Sequence, residues 1–259
     1  MDLGIAGRSA IVCASSRGLG RACALELARA GARVLLNGRD AGRLAQVRDE
    51  IAAGTGAEIL AVAADLSTEE GRAALLAAMP EPDILVNNNG GPPPRDFRAV
   101  DRDAMLAGLE ANMIAPALLI RAVIDNMVAR RFGRIVNITS GSVKAPLAGL
   151  DLSSGARAGL TGFVAGIARS VAHANVTINN LLPGQFDTDR IEALIETQAR
   201  QSGRGAEEVR NQREQSGPAR RFGDPAEFGA ACAFLCSAQA GYITGQSLLI
   251  DGGAFPGIL

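Results

Sequence analysis

The chain has 259 residues, 47% of them hydrophobic and 20% charged, with a formal net charge of −1. That balance excludes intrinsic disorder and gives no electrostatic footprint for a nucleic-acid partner. One histidine (His173), one tyrosine (Tyr242) and one lysine (Lys144, among 26 Lys and Arg residues) leave a single candidate for any step needing those side chains, and they exclude a histidine-rich metal centre.

In chain order, residues 9–14 (SAIVCA) read as a buried strand and 19–30 as a helix closed by Gly31. Residues 33–36 (RVLL) are a second strand, 41–53 a helix, 58–63 a third strand and 83–86 (DILV) a fourth. A long helical pattern covers 99–131, followed by a strand at 134–138 and a helix at 154–173. Residues 176–182 give a sixth strand, 225–237 a helix and 247–250 the last strand. Apolar strand runs alternating with helices predict an α/β fold: a doubly wound, Rossmann-type parallel sheet with helices on both faces, one domain over 1–259. Residues 186–223 break the alternation with an unpatterned stretch rich in Arg, Glu and Gln, which is expected to be a substrate lid.

The four cysteines, Cys13, Cys23, Cys232 and Cys236, read as reduced and semi-buried. The N-terminal residues have no signal-peptide pattern, and no apolar run approaches the ~18 residues of a membrane span. The expectation is a cytoplasmic protein with no membrane partner. His173, at the end of a long helix, fits a capping or surface role.

The first strand runs through Cys13-Ala14-Ser15-Ser16-Arg17-Gly18-Leu19-Gly20 into a helix. Gly18 lets backbone approach a phosphate, Gly20 lets helix and strand pack closely, and the helix start presents free N–H groups to an anion. The second strand ends Asn37-Gly38-Arg39, with no acid for a ribose hydroxyl. Arg39 and Arg17 together suit a 2′-phosphate, so the expected cofactor is NADP(H). Gly90-Gly91-Pro92-Pro93-Pro94 is expected to make a stiff wall beside a substrate pocket.

Over nearly its whole length the sequence resembles the short-chain dehydrogenase/reductase family, in particular its 3-oxoacyl-[acyl-carrier-protein] reductase-like members. Cys13 to Gly20 is similar to the family's T-G-x-x-x-G-x-G loop, with Cys13 and Ala14 replacing Thr and the first Gly. Asp65-Leu66 resembles the adenine-contacting pair, and Asn87-Asn88-Asn89-Gly90 the N-N-A-G segment. Asn112 and Ser140 match the catalytic asparagine and serine, Pro183-Gly184 with Thr188 the segment that cradles nicotinamide, and Tyr242 to Gly245 with Asp251-Gly252-Gly253 the C-terminal signature. The resemblance implies a cofactor site of Ala14, Ser16, Arg17, Gly18, Leu19, Gly20, Arg39, Asp65, Leu66, Asn87, Asn89, Gly90, Arg157, Pro183, Gly184 and Thr188. It also implies a small-molecule or acyl-thioester substrate and a homotetramer, with Tyr242 in a structural or subunit-contact role.

The family's Y-x-x-x-K pair is absent: Ser153 stands for the tyrosine and Arg157 for the lysine. Arg157 can still bond ribose hydroxyls and supply charge, but it has no phenol to tune. The leading expectation is an NADPH-dependent carbonyl reductase in which Ser140 and Ser153 polarise the carbonyl and a water held by Asn112 delivers the proton. Lys144, four residues beyond Ser140, is a second proton candidate. The alternatives are reduction of a conjugated C=C, as in dienoyl-thioester reductases that also carry Ser at the tyrosine position, and a catalytically silent NADP(H)-binding subunit. A dehalogenase-like non-redox reading ranks lowest, because that group keeps the tyrosine and loses the nucleotide loop.

Overall fold

Strand β1 (Ser9–Val12) pairs in parallel with β2 (Arg33–Gly38) on one side and β4 (Ile84–Asn87) on the other. With β3 (Ile59–Ala63), β5 (Gly133–Ile138), β6 (Val176–Pro183) and β7 (Ser247–Ile250) they form one seven-stranded parallel sheet, in the computed structural model of residues 2–257, ordered β3-β2-β1-β4-β5-β6-β7. The central strands are apolar runs because both their faces are covered. On one face, Cys23 and Leu27 of α1 (Gly18–Arg29), Leu44 and Val47 of α2 (Ala41–Thr55) and Phe228 and Cys232 of α9 (Pro225–Leu235) bury against Val12, Leu36 and Val86. On the other, Leu75 of α3 (Glu69–Ala78), Leu119 and Val123 of α5 (Ala115–Ala129) and Leu160 and Val164 of α6 (Asp151–Val171) meet Ile11, Leu85 and Ile135.

The predicted 99–131 helix is compound. Helix α4 (Arg102–Leu109) passes through a π turn, Glu110–Ile114, into α5. Contrary to the sequence expectation, the continuous stretch Arg102–Ala129 is long and apolar enough to cross a bilayer. Here its Leu119, Ile120, Val123 and Met127 are spent on the domain core instead. Helix α3, absent from the predicted elements, starts at Thr68, whose hydroxyl accepts from Gly71 N at 3.0 Å.

The 186–223 stretch is not an unpatterned loop. It folds as α7 (Asp189–Ser202) and α8 (Ala206–Ser216) around their own small core of Ile191, Ile195, Ala199, Val209 and Phe222. A bridge between Phe186 and Gly223 closes its base. All four cysteines are free and fully buried rather than half-buried. His173 lies exposed on a turn of 3-10 helix, its Nδ1 3.0 Å from Ser170 O.

A row of side chains crosses the sheet in register. Asn87 Nδ2 donates to Asn137 Oδ1 at 2.9 Å, Asn137 Nδ2 to Asn180 Oδ1 at 3.1 Å, and Asn180 Nδ2 to Ser247 Oγ at 3.2 Å. These bonds link the buried amides at the depth where the strands end and the site loops begin, with Asn87 Oδ1, at the end of the row, left without a partner among the described residues.

Candidate active site at the carboxyl ends of the strands

Strand order reverses between β1 and β4, so the crevice beyond their carboxyl ends is where an open parallel sheet binds ligands. The loop residues among the predicted site residues lie there because each follows a strand. Residues 14–20 follow β1, Arg39 follows β2, Asp65 and Leu66 follow β3, and Asn89 and Gly90 follow β4. Ser140 comes after β5, and Gly184 and Thr188 after β6.

The first loop is held from behind. Asn37 Oδ1 accepts from Ala14 N at 3.2 Å, Ser15 Oγ accepts from Asn37 N at 3.0 Å, and Asn88 Nδ2 donates to Ala14 O at 3.2 Å. Gly20 is tight: a methyl there would lie 2.4 Å from Ala14 O. Gly18 has φ +54°, and Thr188 Cγ2 faces it, 3.7 Å from where a methyl would stand. No side chain caps the start of α1, so its first N–H groups are open to an anion. Burial pushes the Cys13 thiol up to about 12, which makes it an inert packing group behind this loop.

Beside the loop, Gly38 packs on Ser16, whose Oγ would be 3.0 Å from a methyl on Gly38, so a longer residue at that position would have to displace it. Arg17 and Arg39 are both exposed, and among the described residues neither is within ion-pair distance of a carboxylate. A third arginine, Arg43, stands in the first turn of α2, and the sequence reading missed it. Its Nε donates to Ser16 O at 3.2 Å and its Nη2 lies 2.9 Å from Asp189 Oδ2, linking the glycine loop to α7. Asp65 is folded on its own turn, Oδ1 accepting from Ser67 N at 2.9 Å, with Leu66 buried behind it.

The catalytic end is built on α6. Residues 153, 156, 157, 160, 164 and 168 form its buried stripe, which places Ser153 and Arg157 one turn apart facing the sheet. Ser153 is 5% exposed and Arg157 6%. Arg157 Nη1 donates to Ile138 O at 2.8 Å and Thr139 O at 2.9 Å, Nη2 to Asn89 O at 3.3 Å, and Nε to Ser153 Oγ at 3.2 Å. Every nitrogen of the guanidinium is thus engaged, which permits burial of the charge. Burial, and then the nearby Arg190, still pull its pKa down to about 10.

Ser140 heads a 3-10 turn. Its Oγ accepts from Ser142 N at 3.1 Å and from Ser142 Oγ at 2.9 Å, and Ser142 Oγ in turn accepts from Ser154 Oγ at 2.9 Å. Ser140 and Ser153 are therefore both held as acceptors from behind, which leaves each hydroxyl hydrogen to donate forward. Asn112 sits in the π turn, 3% exposed, with Nδ2 3.4 Å from Gly108 O and no partner for Oδ1 among the described residues. A small cavity lined by Asn89, Asn112, Ile138, Arg157 and Leu160 adjoins it. Asn89 Nδ2 donates to Ala111 O at 3.0 Å, tying the β4 loop to that turn.

Lys144 is not brought into this cluster. Its ammonium lies 5.9 Å from the centre of the Phe255 ring, and among the described residues it makes no hydrogen bond to Ser140, Ser153 or Arg157. The Gly90–Pro94 segment does border the cluster. A methyl on Gly91 would be 3.5 Å from Ser153 Oγ and 3.0 and 3.3 Å from Nη1 and Nη2 of Arg190, the second arginine that sequence reading missed. Gly184 N donates to Ile250 O at 2.9 Å, fixing the Pro183-Gly184 corner over β7.

An uncapped helix start, a glycine-lined crevice and two exposed arginines with no carboxylate partner among the described residues fit a dinucleotide, and the amide oxygens of Asn87 and Asn112 are buried without partners beside them. Residues 13–254 match the family model described as enoyl-(acyl carrier protein) reductase. The chain is 32% identical to 3-oxoacyl-[acyl-carrier-protein] reductase FabG of Aquifex aeolicus, over 98% of this chain and all of that one. It is 30% identical to the NADPH-dependent reductase BacG of Bacillus subtilis, over 97% and 99%. Among solved structures, L-sorbose reductase of Gluconobacter frateurii complexed with NADPH and L-sorbose superposes with a TM-score of 0.94 at 28% identity, covering both chains in full. The NADP-bound 3-oxoacyl (acyl-carrier-protein) reductase of Agrobacterium tumefaciens gives 0.87 at 30%, over 97% and 95%. These relatives are oxidoreductases, and several are NADPH-dependent. On the sheet order, the glycine crevice and these matches, the chain belongs to the short-chain dehydrogenase/reductase family.

Proposed function

We propose that the protein is an NADPH-dependent reductase of a carbonyl group, in a 3-oxoacyl-like substrate, that works through two positioned hydroxyl donors instead of a phenol. The observation carrying this reading is that Ser140 and Ser153 both accept hydrogen bonds, from Ser142 and Arg157, and so each keeps an O–H to donate; on this reading both donate to one substrate oxygen. Such a pair acts as an oxyanion hole: charge growing on the carbonyl oxygen is met by donors that need no reorganisation. The Arg157 cation behind Ser153 strengthens that donor through the connected hydrogen bond.

The nicotinamide would supply a hydride to the carbonyl carbon. The chain's residues bind, orient and deliver the proton. Ala14, Ser16, Gly18, Leu19 and Gly20 would hold the pyrophosphate. Arg17 and Arg39 would hold the 2′-phosphate, and Asp65 and Leu66 the adenine. Asn87, Asn89, Gly90, Arg157, Pro183, Gly184 and Thr188 would hold the nicotinamide half. Asn112 Oδ1 is an unused buried acceptor that can fix a water beside Arg157, and the Ser154–Ser142–Ser140 hydroxyls give a second path for the proton. Helices α7 and α8 form the lid over this end. Exposed Tyr242 and Leu248 and the half-exposed Phe163 are the surfaces we assign to a homo-oligomer, which sedimentation would test.

The same hydroxyl pair would stabilise an enolate, so reduction of a conjugated C=C is the second reading, favoured because among the described residues Ser140 and Ser153 bond only to serines and arginine and to no near-neutral acid. NADPH oxidation is to be followed with 3-oxoacyl and 2,4-dienoyl thioesters, in the wild type and in Ser153→Ala. Turnover of the oxo substrate, lost in the variant, supports carbonyl reduction. Turnover of the dienoyl substrate alone replaces it with the second reading. Turnover only after Ser153→Tyr/Arg157→Lys would identify a silent nucleotide-binding subunit.

A further inference from the structure

The cationic character of the pocket is larger than the cofactor needs. Arg190 lies in the first turn of α7, and both its terminal nitrogens and Ser153 Oγ come within 3.5 Å of the point where a Gly91 methyl would stand. The carboxylates around it are already committed. Asp187 and Glu192 pair with Arg210, and Asp189 pairs with Arg43. Among the described residues no carboxylate lies within ion-pair distance of Arg190. The Arg190 guanidinium and the Ser153 hydroxyl therefore border one space beside Gly91 that no carboxylate among the described residues neutralises, and Arg157, bonded to Ser153, is close enough to feel the Arg190 charge. Arg190 is exposed at the rim while Arg157 is buried, and an anion seated at the rim would relieve the repulsion between them.

We propose that Arg190 is a substrate-binding residue and that the pocket takes a small oxo acid, its carboxylate held by Arg190 while its carbonyl faces Ser140 and Ser153. A planar guanidinium presents two parallel donors to a carboxylate, which fixes the substrate's orientation as well as its charge. Because Arg190 rides on the lid helix, the bound anion would also draw that helix toward the pocket. The lowered proton affinity of Arg157 agrees with an unneutralised second cation nearby. The fate of the carbonyl rests on the reductase reading, whereas the anion subsite does not.

The test is calorimetric titration of pyruvate, acetoacetate and phenylpyruvate, each against its neutral amide, with and without NADP+. At least one acid should bind at least about tenfold more tightly than its amide, the size expected for a charge-assisted pair. Arg190→Met should erase that preference, Arg190→Lys should keep part of it, and Gly91→Ala should weaken it by displacing the Arg190 nitrogens. NADP+ affinity should stay unchanged in Arg190→Met. The proposal is overturned if no acid is preferred, if the preference survives Arg190→Met, or if that variant loses NADP+ affinity instead. NADPH consumption is read separately. Acid preference without consumption would sink the reductase reading and keep the subsite, and consumption without acid preference would do the reverse.

Discussion

The Nε of Arg157 donates to Ser153 Oγ at 3.2 Å, joining through one hydrogen bond the two residues that the sequence resemblance sets against the family's lysine and tyrosine. A lysine beneath a tyrosine tunes a phenol, whereas an arginine beneath a serine orients an alcohol. The guanidinium's other nitrogens are anchored on the carbonyls of Ile138, Thr139 and Asn89, so the cation is a fixed part of the site's floor.

Removing that anchor should be costly. Arg157→Met would forfeit the bonds to Ile138 O and Thr139 O, each of a kind worth about 1.5–3 kcal/mol, while relieving the burial of a charge. The expected net loss is about 3 kcal/mol in urea unfolding. Arg157→Lys, which keeps a cation but reaches fewer carbonyls, should lose less. Equal stability of Arg157→Met and wild type would mean the anchor is idle.

Protonation of this residue gives a second prediction. Its pKa is lowered to about 10 chiefly by burial, with Arg190 adding repulsion, so the folded chain gives up this proton before the unfolded chain does. The penalty for burying the charge is therefore constant below about pH 10 and is relieved only as pH rises beyond it. Cofactor affinity in the wild type should be flat from pH 6.5 to about 9 on this account. A lysine starts from about 10.4 and meets the same burial. Arg157→Lys should therefore lose NADP+ affinity within that range as pH rises. A flat profile for both proteins would contradict this.

The strands were readable because a parallel strand covered on both faces is written as an unbroken apolar run, as in Val34 to Leu36. The glycine crevice was readable because Gly18 and Gly20 occupy positions that other residues would block or strain. Helices α7 and α8 were not recognised, since charged residues crowd them. Their signal was the spacing of Ile191, Ile195 and Ala199 on one helical face, ended by Gly203 in a left-handed conformation. Helix α3 escaped because its ten residues bury only Gly71 and Leu75. Arg43 and Arg190 belong to the site through contacts across the fold, to Asp189 and to the space beside Gly91. No local spacing encodes such contacts.

Ala14 occupies a left-handed backbone conformation, φ +45°, that favours glycine. An L-residue there costs about 1–2 kcal/mol, part of which glycine returns through its freer unfolded chain. Ala14→Gly should stabilise the protein by about 0.5–1 kcal/mol and raise Tm by about 2 °C in calorimetry. A lower Tm would show that the alanine methyl makes packing contacts worth more than the strain.

The amide row across the sheet should behave as a unit. Asn137→Leu would leave Asn180 Oδ1 without a donor on one side and Asn87 Nδ2 with only a long 3.5 Å contact to Pro116 O on the other, both in buried surroundings. Two stranded polar groups at about 1–3 kcal/mol each predict a loss of about 3 kcal/mol or more. Asn137→Asp, which keeps the acceptor toward Asn87 but buries a charge, should also be destabilising, and its defect should ease in acid as the carboxyl protonates. A chemical denaturation series from pH 4 to pH 8 reads both effects.

Cofactor choice is the most direct test of the nucleotide end. Arg17 and Arg39 stand exposed without carboxylate partners among the described residues, while Arg43 is tied to Asp189. Each free guanidinium bonded to a 2′-phosphate should contribute about 1.5–3 kcal/mol. Arg17→Ala/Arg39→Ala should therefore weaken NADPH binding at least about a hundredfold while leaving NADH affinity nearly unchanged, as measured by quenching or calorimetry. Folding stability should not move, because neither side chain is buried. Asp189→Asn should act differently: by freeing Arg43, it adds a third cation within reach of the Ser16 loop. NADPH affinity would then rise while the tie between loop and lid is lost. If Asp189→Asn weakens NADPH instead, the Arg43–Asp189 link serves to close the lid on the cofactor rather than to hold Arg43 away from it.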